Sequence, residues 1–149
     1  MTPKTKRLRY LIYAKNENAQ RLQQKGMVEL LHGMKSKFPG VRLLFNRGFE
    51  ILDQTSDLTD GVVAESLFKS WDPGRSVFKD VPEDDRIWLT NKLTEVHRRY
   101  HLPIIVLDYL PPEQRELAKS IALKIKALGF VPWISTPGLN HVGVGEIDI

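Results

Sequence analysis

The chemically most pointed feature of this 149-residue sequence is a carboxyl that closes a short apolar run, Glu65 in Gly61-Val62-Val63-Ala64-Glu65-Ser66. A carboxyl in that place is partly desolvated, which raises its pKa and suits it to general acid work near neutral pH. The same pattern fits a carboxylate paired to a core-edge arginine such as Arg47. Other strand-like runs also stop at polar residues: 41–45 at Asn46, 104–107 at Asp108 and Tyr109, and 130–134 at Ser135 and Thr136. Asn46 has an amide to donate, to a substrate or to strand-end backbone groups. Asp108 and Tyr109 suit a sugar hydroxyl, or the orientation of a catalytic carboxyl, or, before Pro111-Pro112, a turn or helix cap. Trp71, Tyr109 and Trp133 offer flat faces on which sugar rings stack, although Trp133 lies inside a strand-like run and also reads as half-buried core. Trp88 reads as helix packing.

Elements that would position these residues follow from periodicity and breakers. Met27, Leu30, Leu31, Met34 and Phe38 recur at three- and four-residue steps, a helical stripe that begins near residue 18 and is stopped by Pro39-Gly40. Pro82 and three acidic residues open a second helix with Leu89, Leu93, Val96 and Tyr100 on one face, and Pro103 stops it. A third opens at Pro111-Pro112, buries Leu117, Ile121, Ile125 and Leu128, and ends at Gly129. The segment 67–81 is long enough to be a functional loop. Helices alternating with nearly continuous apolar strands define an α/β protein with parallel pairing, whose ligands gather where the loops leave the carboxyl ends of the strands. No linker interrupts 1–149, which reads as one domain with an atypical N-terminal segment at 1–17.

Composition narrows the function classes. The chain has 22 Lys and Arg against 18 Asp and Glu, but Lys4, Lys6, Arg7 and Arg9 supply the excess, so no basic face for nucleic acid is indicated. Cysteine is absent, which excludes thiolate chemistry and Cys-based metal sites. The four histidines are scattered without ligand spacing, and no glycine-rich phosphate cradle occurs, so neither a metal nor a cofactor is expected. The apolar stretch 10–14 is too short for an export signal or a membrane span; no membrane partner is expected and the cellular location stays open.

Four blocks, LLFNRGFEIL (43–52), DGVVAESLF (60–68), LPIIVLDYLPP (102–112) and ALGFVPWISTPGLNHVGVGEIDI (127–149), resemble in order and spacing glycoside hydrolase family 114, the endo-α-1,4-polygalactosaminidase-like proteins. The resemblance covers residues 20–149 and implies parallel β/α units of a TIM-type (β/α)8 barrel. About 250 residues is usual for a whole barrel, so this chain reads as an incomplete, C-terminal half. It further implies an exported polysaccharide hydrolase that cleaves partly deacetylated galactosamine polymers with an Asp and a Glu. Glu65 takes the place of the catalytic Glu that protonates the leaving glycosidic oxygen; Asn46, Asp108 and Tyr109 would line the groove, with Trp133 and Ser135 near its rim. The departure lies at the start, where the family has a strand ending in the other catalytic Asp and this chain has Leu8-Arg9-Tyr10-Leu11-Ile12-Tyr13-Ala14-Lys15. A truncated barrel without that Asp is expected to be a poor or inactive hydrolase and to self-associate through exposed strand edges. The alternative is a non-catalytic carbohydrate-binding or exopolysaccharide-assembly module.

Overall fold

The computed structural model describes residues 17–146; the expected run 8–15, most of the segment 1–17 and the last three residues lie outside them. The described chain divides into two compact units, residues 17–43 with 48–59, and residues 44–47 with 60–146.

In the first unit, helix α1 (Glu17–Lys37) buries Val28 and Leu31. Of the expected stripe, only Leu31 is buried; Met27, Leu30 and Phe38 are exposed. The buried seam runs through Val28 and Leu31, to one side of the seam that counting apolar residues selects. A 3-10 turn (Phe49–Ile51) then runs into the one-turn helix α2 (Leu52–Thr55). There the buried Thr55 hydroxyl donates to the Ile51 carbonyl at 2.7 Å, a local bond that leaves no polar atom unpaired.

The second unit is built on four strands, β1 (Leu44–Asn46), β2 (Gly61–Glu65), β5 (Ile104–Tyr109) and β6 (Val131–Ser135), adjacent in that order. All three pairings are parallel, with Asn46 opposite Val63, Glu65 opposite Leu107, and Tyr109 opposite Ser135. Parallel neighbours need crossovers, and helices α3 (Glu83–Tyr100) and α4 (Arg115–Ala127) supply two of them. Pro82 caps α3, Glu83, Asp84 and Asp85 fill its first turn, and His101, with φ 55°, ends it. Leu89, Leu93 and Val96 of α3 are buried, as are Ala118, Ile121, Ala122 and Ile125 of α4. Expected partners Leu117 and Leu128 are partly exposed, and so is Trp88.

Successive residues of a strand face opposite ways, so the in-register sheet has two unlike faces. One carries Phe45, Val62, Ala64, Ile104, Val106, Asp108 and Ile134, all buried, and Pro132, which is partly exposed. The other carries Leu44, Asn46, Val63, Glu65, Ile105, Leu107, Tyr109, Val131, Trp133 and Ser135, most of them open to solvent in some degree.

The segment 67–81, read from sequence as a loop, contains an ordered antiparallel hairpin, β3 (Lys69–Asp72) and β4 (Val77–Asp80). Asp72 makes its turn: one carboxylate oxygen accepts from the amides of Gly74 (3.0 Å) and Arg75 (3.2 Å). Trp71 packs edge-on against Phe78, ring centroids 4.8 Å apart.

Candidate active site

Three expected residues meet at the carboxyl ends of β1, β2 and β5. Asn46 lies diagonal to Glu65 across the β1–β2 ladder, and its Nδ2 donates to Glu65 Oε1 at 2.8 Å. Tyr109, two residues beyond the register partner of Glu65, donates its hydroxyl to Oε2 at 2.7 Å. Each carboxylate oxygen thus has one neutral donor, while the half-exposed side chain remains open to solvent. Arg47 does not pair with the carboxylate. Its guanidinium donates to the Glu65 backbone carbonyl at 3.0 Å, and so pins the main chain, and among the described residues no ion pair engages the acid.

Backbone conformation explains how these groups are aimed. Arg47 (φ 61°) and Ser66 (φ 64°) are left-handed, an uncommon conformation for residues with a Cβ. Each turns the chain directly after a polar strand-end residue. The Arg47 amide donates to Val63 O at 2.7 Å and the Ser66 amide to Leu107 O at 2.9 Å, so both turns continue the ladder before leaving it. Sequence reading marks Arg47-Gly48 as a turn but has no signal for Ser66.

Burial of the Tyr109 ring, then the bond to Glu65 and its charge, and finally the charge of Asp108, hold the Tyr109 phenol well above its ordinary pKa. Tyr109 is therefore a donor, not an acceptor of protons, across the working range of an enzyme.

Two expected groove residues occupy other places. Asp108 is fully buried on the opposite face of the sheet, where Oδ1 accepts from the Leu67 amide at 2.6 Å and Oδ2 from the Phe68 and Lys69 amides at 2.8 and 3.0 Å. Burial pushes its carboxyl above the ordinary value, and the three amides act in the opposite sense. The expectation that it lines the groove does not fit this placement, because strand alternation sends it away from Tyr109. Ser135 is on the Glu65 face but is fully buried, its hydroxyl donating to the His141 carbonyl at 3.0 Å. Thr136, also buried, donates to Asn140 Oδ1 at 2.9 Å. Trp133 is 47% exposed, about half-buried, at the margin of the sheet. It lines a cavity of about 480 Å³ with Phe130, Val131, Ile134, Val142 and Val144, beside edge strand β6; no residue of β1, β2 or β5 contributes to it. An apolar lining alone would select that cavity, whereas the convergence of polar groups selects Glu65, and chemistry needs the latter.

A parallel β/α sheet with a carboxyl held at the carboxyl end of one strand by an amide and a phenol is a frame for acid–base chemistry at a barrel mouth. The profile of Glycoside-hydrolase family GH114 matches residues 12–147, and the chain belongs to that family. Among solved structures it is similar to the glycoside hydrolase domain of PelA from Pseudomonas aeruginosa, at 35% identity and a TM-score of 0.80 over 89% of this chain. A glutamate-to-alanine variant of that domain matches at 34% identity, 89% coverage and the same TM-score. The chain spans 52% of the length of each, and its strands and helices are β/α units of the TIM-barrel type, part of such a barrel. No curated protein matches.

Proposed function

We propose that this chain carries the acid/base carboxyl of a polysaccharide glycoside hydrolase, that Glu65 is that carboxyl, and that the polymer contains galactosamine. The observation that carries the reading is the Asn46–Glu65–Tyr109 constellation: a solvent-reachable carboxyl oriented by two neutral donors at a strand end. Membership of GH114 supports the reaction class, and the resemblance supports the substrate class. In this reading Glu65 delivers a proton to the leaving glycosidic oxygen, Asn46 and Tyr109 fix its rotamer, and Trp133 offers an exposed ring to a sugar face.

Hydrolysis of this kind needs a second carboxylate, about 5–5.5 Å away for retention or about 6.5–9.5 Å for inversion. Among the described strand residues, the face that carries Glu65 holds no other Asp or Glu. That supports a second reading, a carbohydrate-binding module without turnover, and it sets the experiment. Formate, as a small exogenous carboxylate, attacks the anomeric carbon as the glycosidic C–O bond breaks and Glu65 gives its proton to the departing oxygen; water then hydrolyses the glycosyl formate to free sugar and formate. Partly deacetylated galactosamine oligomers should be cleaved slowly or not at all without formate and measurably with it, and Glu65→Gln should lower the formate-dependent rate by about 10²-fold or more. Equal rates in wild type and Glu65→Gln would remove Glu65 from the chemistry. Binding without cleavage under both conditions would establish the module instead.

A further inference from the structure

A carboxylate on the core face of a sheet is costly to bury unless it is hydrogen-bonded throughout. Asp108 shares the buried face of the sheet with Val106 and with its cross-strand partner Ile134, where an apolar side chain would serve the core better, so its bonds indicate what it is for. It gathers three successive amides, those of Leu67, Phe68 and Lys69, on its two oxygens. The left-handed turn at Ser66 delivers these amides toward β5, and Leu67 is fully buried, so without Asp108 its amide would face no water. The first of these amides, that of Leu67, lies two residues after Glu65, across the Ser66 turn. At the other end of that turn, Arg47 holds the Glu65 carbonyl.

We propose that Asp108 is a positioning residue for Glu65: the dipeptide Asp108-Tyr109 grips it from both faces of the sheet, Asp108 through the main chain of residues 66–69 and Tyr109 through the carboxylate. This rests on the reading of Glu65 as the acting carboxyl. Alternation along β5 makes the arrangement possible, because adjacent residues reach opposite sides of the same neighbouring strand. Asp108 never touches substrate; it fixes the direction in which β2 leaves the sheet, and with it the rotamer of Glu65 and the root of the β3–β4 hairpin. Asparagine cannot replace it, having one acceptor oxygen for three donors and a second group that is itself a donor.

Nuclear magnetic resonance on the whole chain tests this without relying on turnover. In the wild type, the amides of Leu67, Phe68 and Lys69 should exchange with solvent as slowly as those of β5; exchange as fast as at the hairpin tip would overturn the proposal. Asp108→Asn should speed exchange at these three positions by about tenfold or more, leave α3 and α4 protected, and move the titration midpoint of the Glu65 side-chain carboxyl. Asp108→Ser, which keeps one acceptor in less volume, reads the same quantities should the asparagine variant fail to fold. Faster exchange with an unmoved Glu65 titration would make Asp108 a fold-stabilising residue only and would overturn the positioning role. In the formate-assisted assay, kcat should fall by on the order of 10²-fold at unchanged KM, as a displaced reacting group requires. Failure of wild type to cleave under any condition would count against Glu65 as the acid, whereas the titration result bears on Asp108 alone.

Discussion

Tyr109 is held to its proton by its surroundings twice over, since burial disfavours the phenolate and Glu65 both accepts its hydrogen bond and repels the charge that ionisation would create. The folded-state pKa is raised, so the native protein keeps a proton that the unfolded chain releases near pH 10. The associated stability is fully present below about pH 10 and is lost as the pH rises through the folded-state value. An alkaline titration of tyrosinate absorbance should therefore show one of the four tyrosines ionising late, in step with loss of structure. Tyr109→Phe should remove the late component and lower stability by about 1–2 kcal/mol, the range for a bond to a charged group at a half-exposed site. On the other side of Glu65, Asn46→Asp would set a second carboxyl where a donor now lies 2.8 Å away. Two carboxyls at that distance cannot both ionise readily, so the pair should retain a proton well above the ordinary carboxyl range, a shift that a side-chain carbon titration reads directly.

Elements are fixed by contacts of different kinds, and each kind was visible in the sequence to a different degree. The C-terminal tail reaches the second unit's core through Gly145: a Cβ there would lie 2.6 Å from Ile134 Cγ1 and 3.1 Å from the Ala118 carbonyl. Gly145→Ala should thus cost about 1–3 kcal/mol in thermal or denaturant unfolding, as overpacking does, whereas Gly40→Ala, with nothing within 4 Å, should be nearly neutral. Strands β2, β5 and β6 and helices α3 and α4 were legible because Gly, Pro and acidic first turns punctuate uniform apolar runs. The hairpin was not: Lys-Ser-Trp-Asp and Val-Phe-Lys-Asp have too few apolar residues to alternate, and what organises them is the Asp72 turn and the Asp108 clamp. Convergence of Asn46, Glu65 and Tyr109 followed from the rule that strand ends share one mouth. The split between Tyr109 and Asp108 did not, because Ile-Ile-Val-Leu is apolar at every position and gives no sign of which parity faces the helices.

At the scale of the molecule, the face of the sheet that bears the site is also, among the described residues, exposed at both margins. Leu44 on β1 is 55% exposed, and Val131 and Trp133 on β6 are 50% and 47% exposed beside a cavity of about 480 Å³ lined mainly by apolar side chains. A closed barrel would turn these side chains inward and give each edge strand a neighbour. With β6 at the margin of the four-stranded sheet, its outer main-chain groups can accept another strand, and its apolar side chains favour that pairing. The chain is therefore expected to self-associate, and sedimentation across a range of concentrations should show a mass that rises with concentration. Val131→Lys places a charge on the exposed edge without touching Asn46, Glu65 or Tyr109 and should shift the distribution toward monomer while the Glu65 titration stays in place. Monomer at every concentration in the wild type would mean that the apolar margin of β6 is tolerated in water.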